Sequence, residues 1–537
     1  MAITLPIFPY KATERLAYFA AMILQKGWKW LGVIGLLSQC RSGGDPPPGV
    51  LRVALFSPYS SLDPIYARDL VSVWLTQQLF RGLVTYDTML RLVPDAAARW
   101  EVSPDRRRYR FFLRRNLSYA GYPHRYLKAQ DVVYSWHRLA HPQWASPGRY
   151  LFRGIIVGWE AYEKQTASTI RGLRALNDSV VEVELERPYS LFLHLLTLPY
   201  AAVVLPEAVE RLGRRFAQQP VGLGPFQLIY EVPGRLVVLK RRLPKVGRVE
   251  KLVFRWYPNR LQAWLALQRG EIDALEGLDI GLRYLLRRDT SWKRWAYLVQ
   301  VPQLGIEYLG LDTRPISPLG EVSLRRALSA LVKRCRVAET LWPDLVQPAH
   351  TFIPPALLAW IPDSEADPPD SALVARLSQL SLTLYAAPAF RELCEYLQAC
   401  LKQQGVPLRI EYLLGPSLRE FLNKGQIALW KASWLADFPE GENFLLLFES
   451  SQQAPKGPNT FRLANEELDA YIQASRQESD PFCRKILYSI AEELLQYHVP
   501  AIPLYHGQAI WVLHRRVQAF PRSALAVWLP LHEVVCE

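Results

Sequence analysis

Residues 109–119 read YRFFLRRNLSY. Tyr109, Phe111 and Leu113 alternate with Arg110, Phe112 and Arg114, the period of two expected of a strand with one dry face and one wet face. Working outward, Val181, Val183 and Leu185 alternate with Glu182, Glu184 and Glu186 shortly after the turn-forming pair Asn177-Asp178. That segment reads as the second arm of a hairpin. Further on the period changes. Leu324, Ala327, Leu328, Leu331, Val332 and Cys335 follow helical spacing, with Arg325, Arg326, Lys333 and Arg334 on the opposite side. Cys483, Ile486, Leu487, Ile490, Ala491 and Leu494 repeat that spacing, so Cys335 and Cys483 are expected in helix cores. Strand and helix signals mix throughout, which predicts a mixed α/β protein of more than one lobe.

Size and composition agree. At roughly 150 residues per domain, 537 residues make three or four structural units. Half the residues are hydrophobic and 21% are charged, a balance that excludes disorder. The 41 prolines argue against a helical bundle or long coiled coil. Six cysteines (Cys40, Cys335, Cys394, Cys400, Cys483, Cys536) are too scattered for a disulfide scaffold, and none forms a CxxC pair. Cys394 and Cys400 stand six apart, off one-face helical spacing, so no disulfide is expected to be needed for folding. The formal net charge of +14 comes without long basic blocks or a nucleic-acid recognition motif. An anionic membrane surface is the better partner for that charge, and nucleic acid is not expected.

The N-terminus supports membrane proximity. From Met22 the chain reads MILQKGWKWLGVIGLLSQC: Lys26 and Lys29, then a short apolar run, then Cys40. The run is too short to span a bilayer, which takes ~20 residues, but it suits the core of a secretory signal. Leu37-Ser38-Gln39-Cys40 resembles the bacterial lipobox, with Gln39 in place of the usual small residue. The reading is a lipoprotein signal over 22–39, with 1–21 a possible mis-assigned start. Lipid is then expected on Cys40, and a flexible tether over 40–50.

Catalytic and metal motifs are missing. Gly222-Leu223-Gly224 lacks the third glycine of a dinucleotide fingerprint, and Pro225 spoils a helix start there. Gly415-Pro416-Ser417-Leu418-Arg419 is no nucleophile elbow, and His532-Glu533 is not followed by a zincin's second histidine. The nine histidines are dispersed. No catalytic residue, metal site or cofactor is implied, and an enzyme is not expected.

A series of short motifs, in order, resembles the extracytoplasmic peptide- and nickel-binding components of ABC importers. Leu62-Asp63-Pro64 comes first, then 79–87 (LFRGLVTYD), 92–96 (LVPDA) and 100–105 (WEVSPD). Residues 109–119 resemble the family's signature strand, and 129–135 (AQDVVYS) its helix start. Residues 220–226 (PVGLGPF), 266–273 (ALQRGEID), 353–355 (IPP), 434–438 (WLADF) and 500–505 (PAIPLY) complete the order. The match covers nearly all of the chain from about residue 50.

The resemblance implies a two-lobed fold of the periplasmic-binding-protein type, closing on a ligand between the lobes by hinge motion. Lobe one would take 51–305, with an extra subdomain at roughly 80–200, and lobe two 306–505. Residues 506–537 would return to lobe one, with crossings near 300–310 and 503–512. By the same resemblance Asp437 holds a peptide's terminal ammonium. The backbone around Ser433 and Leu435, beside Trp434, would pair with the peptide like an added strand. Arg68 and Leu70 would, by alignment spacing, fall where the family places a loop at the cleft. The alternative for Asp437 is the cap of a turn before Pro439. The implied function is a monomeric, extracytoplasmic, lipid-anchored binder of oligopeptides or dipeptides that feeds a membrane permease. Its rivals are another solute on the same fold (nickel chelate, haem, sugar) or a structural or sensory protein that has lost transport.

Overall fold

The computed structural model describes residues 48–242, 248–343, 345–362 and 370–537. The expected signal, Cys40 and most of the tether lie outside the described residues. Two sheets organise the chain. The first has seven strands in the spatial order Phe226–Val232, Leu236–Arg241, Lys251–Trp256, Val50–Leu55, Ala274–Glu276, Gln508–His514 and Ala296–Pro302. Val50–Leu55 runs parallel to Lys251–Trp256 in its middle, with Leu51, Val53 and Leu55 buried on one face and Ala54 on the other. The second has six strands in the order Gln347–Pro348, Ala501–His506, Gly305–Leu311, Leu429–Leu435, Thr383–Ala386 and Arg409–Tyr412.

The chain passes between the sheets twice. Gln303 and Leu304 link Ala296–Pro302 to Gly305–Leu311, and Gly507 alone links Ala501–His506 to Gln508–His514. The two crossings bond to each other, Gln303 N donating to Gly507 O at 3.0 Å. Two short, adjacent crossings are the physical form of a hinge.

A third, four-stranded antiparallel sheet carries the opening sequence. Its order is Ala97–Val102, Arg108–Leu113, Val180–Glu184 and Leu173–Asn177, and the helix Ala129–Ala140 contacts its two last strands. Tyr109, Phe111 and Leu113 are buried, as their alternation predicts. Glu182 departs from the pattern. It is buried on the face expected to be wet because Arg110 (2.7 Å) and Arg174 (2.8 Å) reach over it. At the end of the signature segment, Tyr119 donates to Asp131 at 2.9 Å, and Asp131 also accepts from Lys128 N at the helix start. Gly222 and Gly224 lie so close to the end of the helix Leu70–Leu79 that a Cβ at either would overlap the Leu79 backbone. Two motifs some 140 residues apart in sequence thus form one packing unit.

One cysteine expectation is met with an added partner, and one needs correction. Cys335 is buried, but it forms a disulfide with Cys400, 65 residues away. The helices Val322–Arg334 and Arg391–Gln403 pack side by side and bring them together, an encounter that spacing along the chain cannot reveal. Cys483 is exposed. The helix Pro481–His498 instead buries Arg484, Tyr488, Ser489, Ala491, Glu492 and Leu495. Arg484 has Glu440 as its partner, and Glu492 accepts Phe352 N at 2.6 Å and Ile353 N at 3.0 Å. Partnered polar groups took the inward face, and the apolar stripe was left half-exposed.

Candidate ligand site between the lobes

The strand Leu429–Leu435 pairs with Gly305–Leu311 along its whole length, from Leu429↔Leu311 to Leu435↔Gly305. On its other side it pairs with Thr383–Ala386 only at Leu429 and Trp430. From Ala432 onward that side has no strand partner among the described residues. Ser433 and Leu435 are exposed on this stretch, and Trp434 is half-buried. A strand edge left open is a template for another extended chain.

Beyond the strand the chain turns through Ala436, Asp437 and Phe438, and Asn443 holds the turn. Asn443 is buried, on the short helix Glu442–Leu445. Its side-chain oxygen accepts the Asp437 N–H at 3.2 Å and the Trp434 indole at 3.1 Å, and its backbone oxygen accepts the same indole at 3.0 Å. The Asp437 carboxylate has neither a basic partner nor a backbone N–H donor among the described residues. The turn-cap alternative needs such a donor.

Asp437 is exposed to water, yet protein crowds it closely enough that desolvation lifts its carboxyl to about 6, against an opposing hydrogen bond from Asn443. Reachable by water but poorly solvated is the condition of a group in a cleft. Next to it, Phe438 lies 5.8 Å from the His194 ring of the first lobe's side. His194 bonds Tyr86 at 2.8 Å and stands 3.7 Å from Glu440. Burial pushes His194 down to about 4, so it is neutral near pH 7. Glu440 is held in turn by Arg484 (2.6 and 3.2 Å) and the Tyr488 hydroxyl (3.0 Å).

Across the cleft, Leu70 opens the helix Leu70–Leu79 and is half-buried, whereas Arg68 just before it is exposed. The loop that carries Arg68 is rigidly braced. Asp63 pairs with Arg138 at 2.5 and 2.9 Å, both buried. Asp69 accepts Ser60 N and Ser72 N, each at 2.8 Å. The Arg68 guanidinium makes no hydrogen bond or ion pair among the described residues. It does act on the Tyr200 phenol, whose pKa is raised by burial first, then by Tyr150 and the Asp437 carboxylate, with Arg68 opposing. Arg68 and Asp437, far apart in sequence, are thus both within electrostatic reach of Tyr200.

Of the residues named from the sequence, Ser433, Trp434, Leu435 and Asp437 stand together on the open strand end and the turn after it, whereas Arg68 and Leu70 lie on the side of the seven-stranded sheet, with Leu70 the first residue of a helix and not in the expected loop. Asn443, Glu440, His194 and Tyr200 were missed. No motif marks them, because each acts through a partner distant in sequence or through burial. Among the described residues no group of histidine, cysteine, aspartate and glutamate is arranged to hold a metal ion.

Two lobes, paired crossings and a cleft with an open strand edge define a two-lobed solute-binding protein. The chain belongs to the bacterial extracellular solute-binding proteins, family 5, whose Middle model matches residues 91–456. The resemblance drawn from the motifs is borne out. The chain is 24% identical over 527 residues to the glutathione-binding protein GsiB of Salmonella choleraesuis (strain SC-B67), covering 93% of this chain and 96% of that one. It is 27% identical over 463 residues to the peptide transport periplasmic protein SapA of Salmonella typhimurium, covering 80% and 81%. Among solved structures it is similar to the Escherichia coli murein tripeptide binding protein MppA, with a TM-score of 0.76, 23% identity and coverage of 91% and 99%.

Proposed function

We propose that this protein captures short peptides outside the cytoplasm and delivers them to an ABC-importer permease in the membrane. The observation that carries the reading is Asp437: a desolvated, unpaired carboxylate at the end of a strand whose edge is open. A peptide has a cationic amino terminus for the carboxylate and an extended backbone for the edge at Ser433 and Leu435. Arg68, on its braced loop beside Leu70, is a suitable partner for the peptide's far end. Relatives named as binding glutathione, murein peptides and dipeptides support a peptide-like ligand. The Cys335–Cys400 disulfide supports an oxidising compartment. A lipid on Cys40 would hold the monomer at the membrane.

The test is a double cycle by calorimetry, with free and N-acetylated tripeptide against wild type and Asp437→Asn. Removing one partner of a desolvated charge pair costs ~3–5 kcal/mol, so either change alone should weaken binding at least ~100-fold. The two losses together should be far less than their sum, since both remove the same interaction. Losses that simply add would mean that Asp437 does not hold the ammonium.

A further inference from the structure

Five arginines are buried among the described residues: Arg138, Arg241, Arg283, Arg325 and Arg484. Four of them bond within one lobe. Arg138 meets Asp63, and Arg241 meets the Val249 and His532 carbonyls, all on the side of the seven-stranded sheet. Arg325 reaches the Leu319, Gly320, His498 and Val499 carbonyls, and Arg484 meets Glu440, all on the side of the six-stranded sheet. Arg283 differs. It stands on the helix Ile280–Arg288, between the strands Ala274–Glu276 and Ala296–Pro302 of the seven-stranded sheet. Its guanidinium donates to Leu341 O at 2.9 Å and Pro343 O at 2.6 Å. Leu341 is the last residue of the helix Val337–Leu341 and Pro343 lies two residues past it; the helix packs on Gln347–Pro348 and Ala501–His506 of the six-stranded sheet. One turn further along, Arg287 donates to the same Pro343 carbonyl at 3.3 Å.

We infer that Arg283 is a positioning residue for ligand capture: its guanidinium clasps the end of helix Val337–Leu341 across the lobe boundary and holds the two lobes together. The last carbonyls of a helix lack partners within it and carry the negative end of its dipole, so a guanidinium fork is a fitting cap. The clasp exists only while the lobes touch. When they part, water must replace the protein on both Arg283 and the two carbonyls. Arg283 itself need not touch ligand. It raises affinity by raising the fraction of protein in the closed form, because apparent affinity scales with that fraction.

The experiment compares wild type with Arg283→Ala and, as a milder change at an exposed position, Arg287→Ala. X-ray scattering is measured with and without saturating trialanine, and trialanine dissociation is followed by stopped flow. Arg283→Ala should scatter as a more open particle in at least one of the two states. It should also release trialanine about 10- to 100-fold faster, the loss expected of charge-assisted hydrogen bonds. Arg287→Ala should shift both readouts the same way by less, and it carries the test if Arg283→Ala fails to fold. A residue that served only its own lobe would lower the melting temperature without moving scattering or release. Scattering curves and release rates that match wild type would overturn the inference. The scattering arm needs no ligand. If trialanine does not bind wild type, the peptide reading fails, and the unliganded curves alone decide the clasp.

Discussion

Asn443 accepts the Asp437 backbone N–H at 3.2 Å and so fixes the one carboxylate on which the proposed ligand contact depends. The same side-chain oxygen accepts the Trp434 indole at 3.1 Å, so a single buried amide aligns the strand end and the turn. Asn443→Ala leaves the partly buried Asp437 N–H without its acceptor, which costs up to about 1–3 kcal/mol. Tripeptide affinity in calorimetry should fall by at least ~10-fold, since the anchor loses its alignment. Asn443→Asp keeps both accepting contacts but adds charge beside Asp437. It should preserve the turn while moving the pH midpoint for binding upward from the wild-type value. Equal affinities in all three proteins would show that the turn holds itself.

The Cys335–Cys400 disulfide closes a loop of 65 residues. Chain entropy alone assigns such a closure ~4 kcal/mol of stability. Thermal unfolding with reductant, or of Cys335→Ser, should therefore occur several degrees lower than in the oxidised wild type. Cys483→Ser, on an exposed site, should leave the melting temperature within a degree or so of wild type. A melting point indifferent to reductant would restore the expectation, drawn from cysteine spacing, that no disulfide is needed.

Local pattern carried much of this fold. The alternation at Tyr109, Phe111 and Leu113, the Asn177-Asp178 hairpin and the stripe from Leu324 to Val332 are set by period and turn chemistry alone and are found as read, except that Arg325, expected on the outer face, is buried because the Leu319, Gly320, His498 and Val499 carbonyls satisfy it. The failures occur where burial is decided by a distant partner. Arg484 and Glu492 turn the helix Pro481–His498 away from its apolar stripe because Glu440 and the backbone at Phe352 and Ile353 satisfy them. Gly222 and Gly224 read as a turn, yet the demand on them comes from Leu79. The cleft follows the same rule. Asp437 could be named through its motif, but Asn443 acquires its role only once the turn after Leu435 folds back on it, and His194 and Tyr200 only when distant segments meet.

The proposed anchor rests on the sequence alone, from Met22 to Cys40. Native protein should partition with membranes and carry lipid on Cys40, and Cys40→Ala should be released or kept as uncleaved precursor. Mass spectrometry of the mature N-terminus decides the matter. One acyl chain gives only marginal attachment, so two or three are expected. A mature N-terminus upstream of residue 30 without lipid would end the idea.

Asp437 should make folding and binding respond to pH in opposite directions. Desolvation raises its carboxyl from an ordinary 3.8 to about 6 in the folded, empty protein. Between those values the folded state keeps a proton that the unfolded chain has released. The contribution of Asp437 to stability is therefore greatest below pH 4 and declines as pH rises toward 6. Binding has the reverse sign. A ligand ammonium needs the carboxylate charged, so capture near pH 5 must first expel that proton. Peptide affinity should hold steady above pH 7 and fall below 6, by at most about tenfold per pH unit. His194 at about 4 stays neutral through this range and does not supply the effect. Calorimetry from pH 5 to 8 in buffers of different ionisation enthalpy should show up to one proton released per peptide bound at the acidic end. Asp437→Asn should bind weakly, with no such release and a flat profile. Wild-type affinity that stays constant from pH 7 down to 5 would mean that the carboxylate is not what the ligand meets.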